Sequence, residues 1–415
     1  MLARLLRSSY VYVVINTVVS LLAFGRNLLF MNSLGLAEVG QIALMQTIVM
    51  LVGFAQGGLI SGTFILWAGG DVVLNRRMAD VLFVGKAVLG VLLICGLAIV
   101  GPDVLAPIVN PETLLIGLAA GLATLASTWM NNALVADQKL RQSNLLNVVA
   151  VLMSLGLAIL TLETNSLMLA LGAIALQPLL VALGAMLLDT LARPRIVRPD
   201  PDTLRRMLAI GVRPFLGSLS LLLVYQIERW SIAGTMGPEA LGRYFIVILY
   251  MTFFLLVPTA LMNVNFPRAS RALAAGETDS FRQIIRRHMA ELAIYAGLAL
   301  LIKLALLSLV LDTFLPNFTG TESLVYLAFL NGLAMLAQAP GTLVLYSVQD
   351  TRPVLTGGLL SLGSFCLALA AVWVTGFTLT GVLLARLLSA MVGAVYLLWQ
   401  RHIALAKLDR GERSA

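Results

Sequence analysis

Charged residues are scarce in this 415-residue sequence. Asp, Glu, Lys and Arg together make up 12% of it, roughly half of their usual share in a soluble domain. Hydrophobic residues make up 60%, and the mean hydropathy is +0.95. This composition excludes an ordinary soluble domain and predicts a protein whose main solvent is lipid.

Residues that commonly form disulfides, metal sites and catalytic centres are equally few. Cys95 and Cys366 both lie inside apolar runs, so we expect no disulfide between them. His288 and His402 lie at span ends, where a surface role is favoured over catalysis. The sequence has no G-x-x-x-x-G-K-[ST] loop, H-E-x-x-H or G-x-S-x-G motif. We therefore expect no enzymatic activity, no catalytic residues, no cofactor and no metal.

Long hydrophilic stretches are also missing, and the longest runs only from about Arg268 to His288. The apolar runs are long and Leu-rich, unlike the alternating ten-residue strands of a membrane barrel. One helical span needs about 20 apolar residues. The sequence predicts an all-α polytopic membrane protein with about 12 transmembrane helices, at 9–31, 41–68, 80–101, 113–136, 144–163, 166–188, 207–230, 241–265, 290–312, 322–348, 354–375 and 378–400.

The basic residues predict the orientation. Alternating loops place 21 of the 28 Lys and Arg residues on one side, and only Arg229 and Arg243 on the other, with five inside spans. By the positive-inside rule both termini are cytoplasmic. The net charge of +8 then reflects topology, and we expect no nucleic-acid partner.

The chain is predicted to divide into two six-helix bundles, residues 1–192 and 207–415, joined by a basic linker at 193–206. An internal repeat supports this division, because Gly35-Leu-Ala-Glu-Val-Gly40 recurs as Gly237-Pro-Glu-Ala-Leu-Gly242, 202 residues later. Six spans is an even number, so both halves share one orientation. We expect a pseudo-two-fold along the membrane normal and a central substrate path.

Five basic residues fall within predicted spans, and each costs about 2.5–3.5 kcal/mol at a helix centre. Acidic residues at similar depth are nearly absent, with Glu228 the main candidate. A buried cation without a partner is strongly unfavourable, so the excess predicts an anionic ligand. The five are Arg26, Lys86, Arg213, Lys303 and Arg386.

Simpler interpretations stay open for several of these residues. Lys86 lies about two turns from the cytoplasmic end and can reach the interface by snorkelling. Lys303 and Arg386 are mid-span, but on helices that can be peripheral. Glu228 and Arg229 can instead form a mutually neutralising pair at the interface.

Polar side chains accompany the cation of span 1. Asn16, Ser20 and Asn27 share a helical face, with Arg26 at its edge. On span 7, Pro214 follows Arg213 and predicts a hinge.

Paired glycines predict close helix packing in three places. They are Gly53-x-x-x-Gly57, Gly58-x-x-x-Gly62 and Gly117-x-x-x-Gly121.

With its six-plus-six plan, the sequence resembles the polysaccharide-transporter branch of the multidrug/oligosaccharidyl-lipid/polysaccharide (MOP) exporter superfamily, which contains Wzx-type O-antigen flippases. The likeness rests on Arg26 followed by Leu34-Gly35 and Val39-Gly40, and on Glu228-Arg229 followed by Gly234, Met236-Gly237 and Leu241-Gly242-Arg243-Tyr244. Arg26 matches the family's basic residue late in span 1. The other cations rest on the charge argument alone.

This resemblance implies a V-shaped pair of bundles whose cationic cavity accepts an undecaprenyl-diphosphate-linked glycan and turns it across the bacterial inner membrane. The glycan would be a precursor of O-antigen lipopolysaccharide or of exopolysaccharide. The implied partners are this lipid-linked oligosaccharide, membrane lipids, a glycan polymerase and the chain-length machinery.

Two departures bear on the substrate. Drug antiporters of the superfamily usually carry a carboxylate in span 1, where this chain has Asn16, Arg26 and Asn27. Lipid II flippases typically have fourteen spans rather than twelve. Both departures favour a surface-glycan precursor.

The sequence therefore predicts a flippase for an anionic polyprenyl-diphosphate-linked oligosaccharide, working by alternating access. A proton- or sodium-coupled multidrug or small-molecule exporter is the alternative. A membrane-embedded glycan polymerase or ligase is disfavoured, since such enzymes usually need a large outer loop. The predicted substrate-binding residues are Arg26, Arg213, Lys303, Arg386, Asn27, Lys86, Glu228 and Arg229.

Overall fold

The computed structural model describes residues 9–54, 57–60, 72–136, 139–188, 198–348, 350 and 352–410. Within these ranges the chain is almost entirely helical and contains no strand. The prediction of an all-α fold is confirmed.

Six long helices form the first half of the chain. They are α1 Ser9–Ser33, α2 Leu36–Phe54, α3 Val72–Val104, α4 Pro111–Ala136, α5 Leu140–Ile159 and α6 Leu167–Leu188. The second half contains α7 Pro201–Phe254, α8 Leu256–Ala274, α9 Thr278–Phe314, α10 Glu322–Ser347, α11 Arg352–Thr375 and α12 Leu379–Asp409.

Ten helical stretches among the described residues are long and apolar enough to cross a membrane. One of them, Phe215–Ala274, is 60 residues long; it overlaps predicted span 7 and contains predicted span 8. The helices thus support a multi-pass membrane protein. The end of predicted span 2 lies outside the described residues.

Helix α7 is interrupted at Gly237, where φ is 86° and ψ is 172°. A side chain is strained at this positive φ, and Pro238 then restarts the helix at its first position, where a missing N–H costs nothing. The predicted outer loop between spans 7 and 8 is therefore a single glycine. The helix continues through Pro214, the predicted hinge, and the non-helical backbone angles lie at Gly237 instead.

The chain forms two compact units. The N-terminal unit comprises the residues up to Leu216 together with Arg229–Gly242, and the C-terminal unit comprises Gly217–Glu228 and the residues from Arg243 onward. Expectations of a boundary at 193–206 and of a pseudo-two-fold stay predictions.

Small residues allow close packing within the N-terminal unit. A methyl group added to Gly117 would lie 3.3 Å from Ile48, and one added to Gly121 only 2.6 Å from Val52. Helices α2 and α4 therefore meet along the predicted Gly117-x-x-x-Gly121 motif. In lipid this shape complementarity and its van der Waals contacts replace the hydrophobic effect as the force between helices.

Aromatic residues fill the interior of the C-terminal unit. Phe254 lies 5.3 Å from Tyr295 and 5.9 Å from Phe329, measured between ring centroids. Leu292 and Leu336 complete this cluster. It joins the end of α7 to α9 and α10.

Large apolar side chains cover the outer surface of both units. On α9, Ile294 and Leu301 are 64% and 63% exposed, which a bilayer would cover. Cys95 and Cys366 are free thiols and are also exposed.

Candidate functional site

Arg26 of α1 lies inside the N-terminal unit with only 6% of its surface exposed. Its Nη1 donates hydrogen bonds to Ser154 Oγ at 2.7 Å and to Gln177 Oε1 at 3.0 Å. These partners come from α5 and α6. Three helices thus converge on one guanidinium.

Pro178 lies inside α6 beside these residues. Because proline has no N–H, the carbonyl of Ile174 loses its helical donor, and such breaks in membrane helices are often compensated by nearby Ser or Thr. Here Ser154 donates to the neighbouring carbonyl of Ala173 at 2.5 Å. The same hydroxyl accepts from Arg26 and so links the backbone of α6 to the cation.

The described partners of Arg26 are neutral. No carboxylate lies within ion-pair distance of it among the described residues, and its Nε is buried without a hydrogen-bond partner. A buried ion costs several kcal/mol unless its charge is balanced. Arg26 therefore meets the condition from which the sequence predicted an anionic ligand.

Asn27 follows Arg26 in α1 but belongs to a different contact. Its Oδ1 accepts a hydrogen bond from Gln46 Nε2 of α2 at 3.3 Å. Consecutive residues point about 100° apart around a helix. Among the described residues, the Asn27 amide therefore makes no hydrogen bond with the guanidinium of Arg26.

Lys86 is held within the N-terminal unit. Its Nζ donates to the carbonyl of Leu125 at 2.5 Å and lies 5.1 Å from the centre of the Trp129 ring. The residue is 9% exposed. Lys86 therefore does not snorkel toward the interface, and a carbonyl and an aromatic face stabilise its charge.

Glu228 and Arg386 form a buried ion pair inside the C-terminal unit. Arg386 Nη1 lies 2.5 Å from Glu228 Oε2, and the side chains are 5% and 0% exposed respectively. Tyr244 donates its hydroxyl to the other carboxylate oxygen. The guanidinium carbon of Arg386 also lies 4.5 Å from the centre of the Tyr225 ring.

This pair corrects two interpretations of the sequence. Arg386 is not an unbalanced cation, because Glu228 supplies its counter-charge. Glu228 also does not neutralise Arg229, whose Nη1 donates instead to Thr47 Oγ1 at 3.4 Å within the N-terminal unit. Arg229 is only 6% exposed, so it is not an exposed outer-loop residue either.

A small polar cavity adjoins the ion pair in the C-terminal unit. It measures about 30 Å³ and is lined by Arg386, Tyr225, Asn331, Gln338, Ser361 and Ser389, among others. Asn331 is fully buried, and neither its Oδ1 nor its Nδ2 has a hydrogen-bond partner. A water needs on the order of 10–15 Å³ of such space. The cavity can therefore hold one or two waters but not a sugar.

Lys303 lies on the buried side of α9, which is the least buried of the ten candidate spans among the described residues. Its Nζ is 3.9 Å from the centre of the Tyr326 ring and 4.2 Å from that of Phe329. Two aromatic faces stabilise a desolvated ammonium group by cation–π attraction. Although α9 is peripheral, as one interpretation held, Lys303 itself is 6% exposed.

Among the predicted site residues whose side chains are described, the structure joins Glu228 and Arg386 into one contact. The side chain of Arg213 lies outside the described part of the structure. Arg26, Lys86 and Lys303 occupy separate environments. Among the described residues, no three His, Cys, Asp or Glu side chains are grouped to hold a metal ion.

Sequence reasoning missed the neutral partners of the charged residues. Ser154, Gln177 and Asn331 are polar residues within apolar runs, and that rarity was an available signal. Tyr244 lies in the quoted motif Leu241-Gly242-Arg243-Tyr244, but the pattern assigned it no role. Ser154 and Gln177 bond Arg26, Tyr244 bonds Glu228, and Asn331 lines the cavity beside Arg386.

Comparisons with known proteins match this fold but give no family assignment. No family model and no curated protein match the chain. A solved structure described as the inward-facing conformation of a multidrug resistance MATE family transporter of the MOP superfamily is similar, with a TM-score of 0.76, 13% identity and coverage of 95% of this chain and 96% of that one.

Two other solved structures have the same architecture. The lipid II flippase MurJ, in an inward closed conformation, gives a TM-score of 0.71 at 12% identity, covering 97% of this chain and 91% of that one. A MOP superfamily transporter from Pyrococcus furiosus gives 0.60 at 15% identity, covering 98% of each chain. At these identities the comparisons establish a MOP-type fold and nothing finer. The polysaccharide-transporter branch stays a prediction.

Proposed function

We propose that this protein is a flippase that moves an anionic, polyprenyl-diphosphate-linked oligosaccharide from the cytoplasmic to the periplasmic face of a bacterial inner membrane. It would work by alternating access, and Arg26 would bind the substrate. Both termini would be cytoplasmic, as the distribution of loop arginines predicts.

One observation carries the proposal: Arg26 is a buried guanidinium with neutral partners. Arginine presents a planar fork of donors that matches phosphate oxygens, and charge-assisted bonds of this kind are about twice as strong as neutral ones. A diphosphate would supply the missing negative charge and bond the free Nε. Ser154 and Gln177 hold Nη1 and would keep the fork oriented before the ligand arrives.

The fold supports a transporter, and the related structures span both candidate substrates. MurJ is described as a lipid II flippase, and the MATE protein as a multidrug resistance transporter. An exporter of drugs, coupled to protons or sodium, is therefore a real alternative for this chain.

Charge arrangement favours the flippase over an exporter of cationic drugs. Helix α1 contains no Asp or Glu, and Glu228 is already neutralised by Arg386. A cationic substrate would have to separate that pair, which costs about 3–5 kcal/mol when one partner is left buried alone. An anion meets no such cost at Arg26.

Deletion of the gene in its native host tests the proposal. A flippase mutant should accumulate lipid-linked glycan on the cytoplasmic face, and the wild-type gene should clear it. Loss of drug resistance without glycan accumulation would establish the exporter alternative instead. If single repeat units were exported but remained unpolymerised, the protein would belong to the polymerase or ligase class.

A further inference from the structure

The two copies of the internal repeat each begin a helix. Gly35 precedes α2 and donates its N–H to Glu38 Oε2 at 2.9 Å, so the side chain of the third helical residue satisfies a free backbone donor. Gly237 precedes the second part of α7, and Pro238 follows it. In both copies, therefore, a helix begins at the residue after the first glycine. The second glycine, Gly40 or Gly242, lies four residues after that helix start.

These two helix starts cross each other in backbone contact. A methyl group added to Gly40 would collide with the carbonyl oxygen of Pro238, and one added to Gly242 would collide with the carbonyl oxygen of Leu36. The Gly242 methyl would also lie 3.1 Å from the amide nitrogen of Gly40. Only residues without a side chain fit at this crossing.

The contact is reciprocal. The offset of 202 residues that relates the repeats makes Leu36 equivalent to Pro238 and Gly40 equivalent to Gly242. Each second glycine therefore packs on the first helical residue of the other copy. An interface in which the same patch serves both partners is the kind that two-fold symmetry produces.

The surroundings are equivalent as well. Val39 and Leu241, which precede the two glycines at equivalent positions, are both 0% exposed. The segment Arg229–Gly242 belongs to the compact N-terminal unit, although its sequence repeat lies in the second half of the chain. This glycine crossing, Leu36–Gly40 on Pro238–Gly242, is thus where that segment contacts α2.

We propose that the glycine crossing is the outer gate of the transport cycle, and that Arg229–Gly242 leaves the N-terminal unit when the gate opens. The proposal rests on alternating access but not on the identity of the substrate. The predicted positive-inside topology would put both helix starts on the outer side. Glycine contacts gain mainly close packing and weak Cα–H···O bonds, which break and re-form without extracting side chains from pockets.

Labelling of a reporter cysteine tests the gate. In a background of Cys95→Ala and Cys366→Ala, Val39→Cys should react slowly with a membrane-impermeant maleimide added outside. Adding Gly40→Ala and Gly242→Ala should raise this rate by roughly tenfold, a shift of about 1.4 kcal/mol in the gate equilibrium. The matched control is Gly25→Ala with Gly297→Ala, since nothing lies within 4 Å of a methyl group at either position.

A second measurement keeps both glycines, in case the alanine variants do not fold. Ala37 and Glu239 are exposed residues at equivalent positions of the two helix starts. Joining cysteines at these positions by a short, cleavable dimaleimide should stop transport, and cleavage should restore it.

Two results would overturn the gate. One is unchanged labelling of Val39→Cys in folded alanine variants, and the other is full transport by the cross-linked protein. The labelling rate needs no glycan. A wrong substrate assignment would therefore leave it unaffected, and the two proposals can fail separately.

Discussion

Glu228 and Arg229 are consecutive residues of α7, yet their side chains bond within different compact units. Glu228 pairs with Arg386 in the C-terminal unit, and Arg229 donates to Thr47 in the N-terminal unit. Neighbours in a helix do not face each other. Opposite charges side by side in the sequence here mark a boundary rather than a pair.

We expect substitutions of Arg26 to act on transport rather than on membrane insertion. Arg26→Ala and Arg26→Glu should abolish measurable export, because even one lost charge-assisted bond of about 1.5–3 kcal/mol lowers affinity roughly 10- to 150-fold. Arg26→Lys should retain part of it, since an ammonium keeps the charge but not the fork. Surface-glycan export in cells with equal protein levels measures this.

Arg271→Ala is the control, because Arg271 is exposed and its Nε donates to the carbonyl of Pro267 in its own helix. Arg213→Ala should abolish export like Arg26→Ala, because the sequence predicts that both arginines bind substrate. If Arg26→Ala exported glycan at the wild-type rate, Arg26 would not be the phosphate anchor.

The Glu228–Arg386 pair should show strong coupling in a double-mutant cycle. Glu228→Gln or Arg386→Met alone should lower the free energy of unfolding by about 3–5 kcal/mol, because each leaves a buried charge unbalanced. The double variant Glu228→Gln/Arg386→Met should lose less than the sum. Thermal unfolding in detergent gives the four values. Additive losses would show that the two side chains do not interact as the structure has them.

Lys86→Met tests whether Lys86 binds substrate, as the sequence predicted. The ammonium group is already held by Leu125 and Trp129, and an apolar side chain of similar size avoids the cost of desolvating a buried charge, which offsets the lost contacts. We therefore expect normal export and unchanged stability. Export reduced as severely as in Arg26→Ala would return Lys86 to the substrate path. Trp129→Leu, which removes the ring but keeps the lysine, is the companion variant.

Two glycines in the N-terminal unit should respond oppositely to alanine. Gly121→Ala should lower the free energy of unfolding by about 1–3 kcal/mol through overpacking, because its methyl would meet Val52. Gly156→Ala meets nothing within 4 Å and should be neutral, or gain up to about 1 kcal/mol from helix propensity. Equal effects in a thermal unfolding assay would contradict the close contact of α2 and α4.

Membrane potential should bias the direction of transport. A diphosphate with about two negative charges that moves outward through an inside-negative potential gains roughly 2.3 kcal/mol per charge per 100 mV. Proteoliposomes containing the purified protein and a labelled polyprenyl-diphosphate glycan should transport faster when a potassium diffusion potential of this sign is imposed. Transport that ignores the potential would exclude this driving force.

The sequence alone determined that the chain is helical and where most of its described helices lie. Runs of about twenty apolar residues can satisfy their backbone groups in lipid only as helices, so hydropathy predicts spans such as 354–375 almost to the residue, against Arg352–Thr375. The position of a charged residue along its apolar run also follows from the sequence. That position identified Arg26, Lys86 and Arg386 as buried cations. Each of these properties depends on residues that are close together in the chain.

Only the tertiary structure decided which charges are balanced. Glu228 and Arg386 are 158 residues apart, and Arg26 takes its partners from 128 and 151 residues away. Loop charges set topology, but they leave helix rotation and neighbour choice free. Those depend on side-chain packing, as at Gly121 and Val52. For this reason the sequence predicted five cations within spans without their partners, whereas the structure pairs Arg386 with a carboxylate and leaves Arg26 among neutral groups.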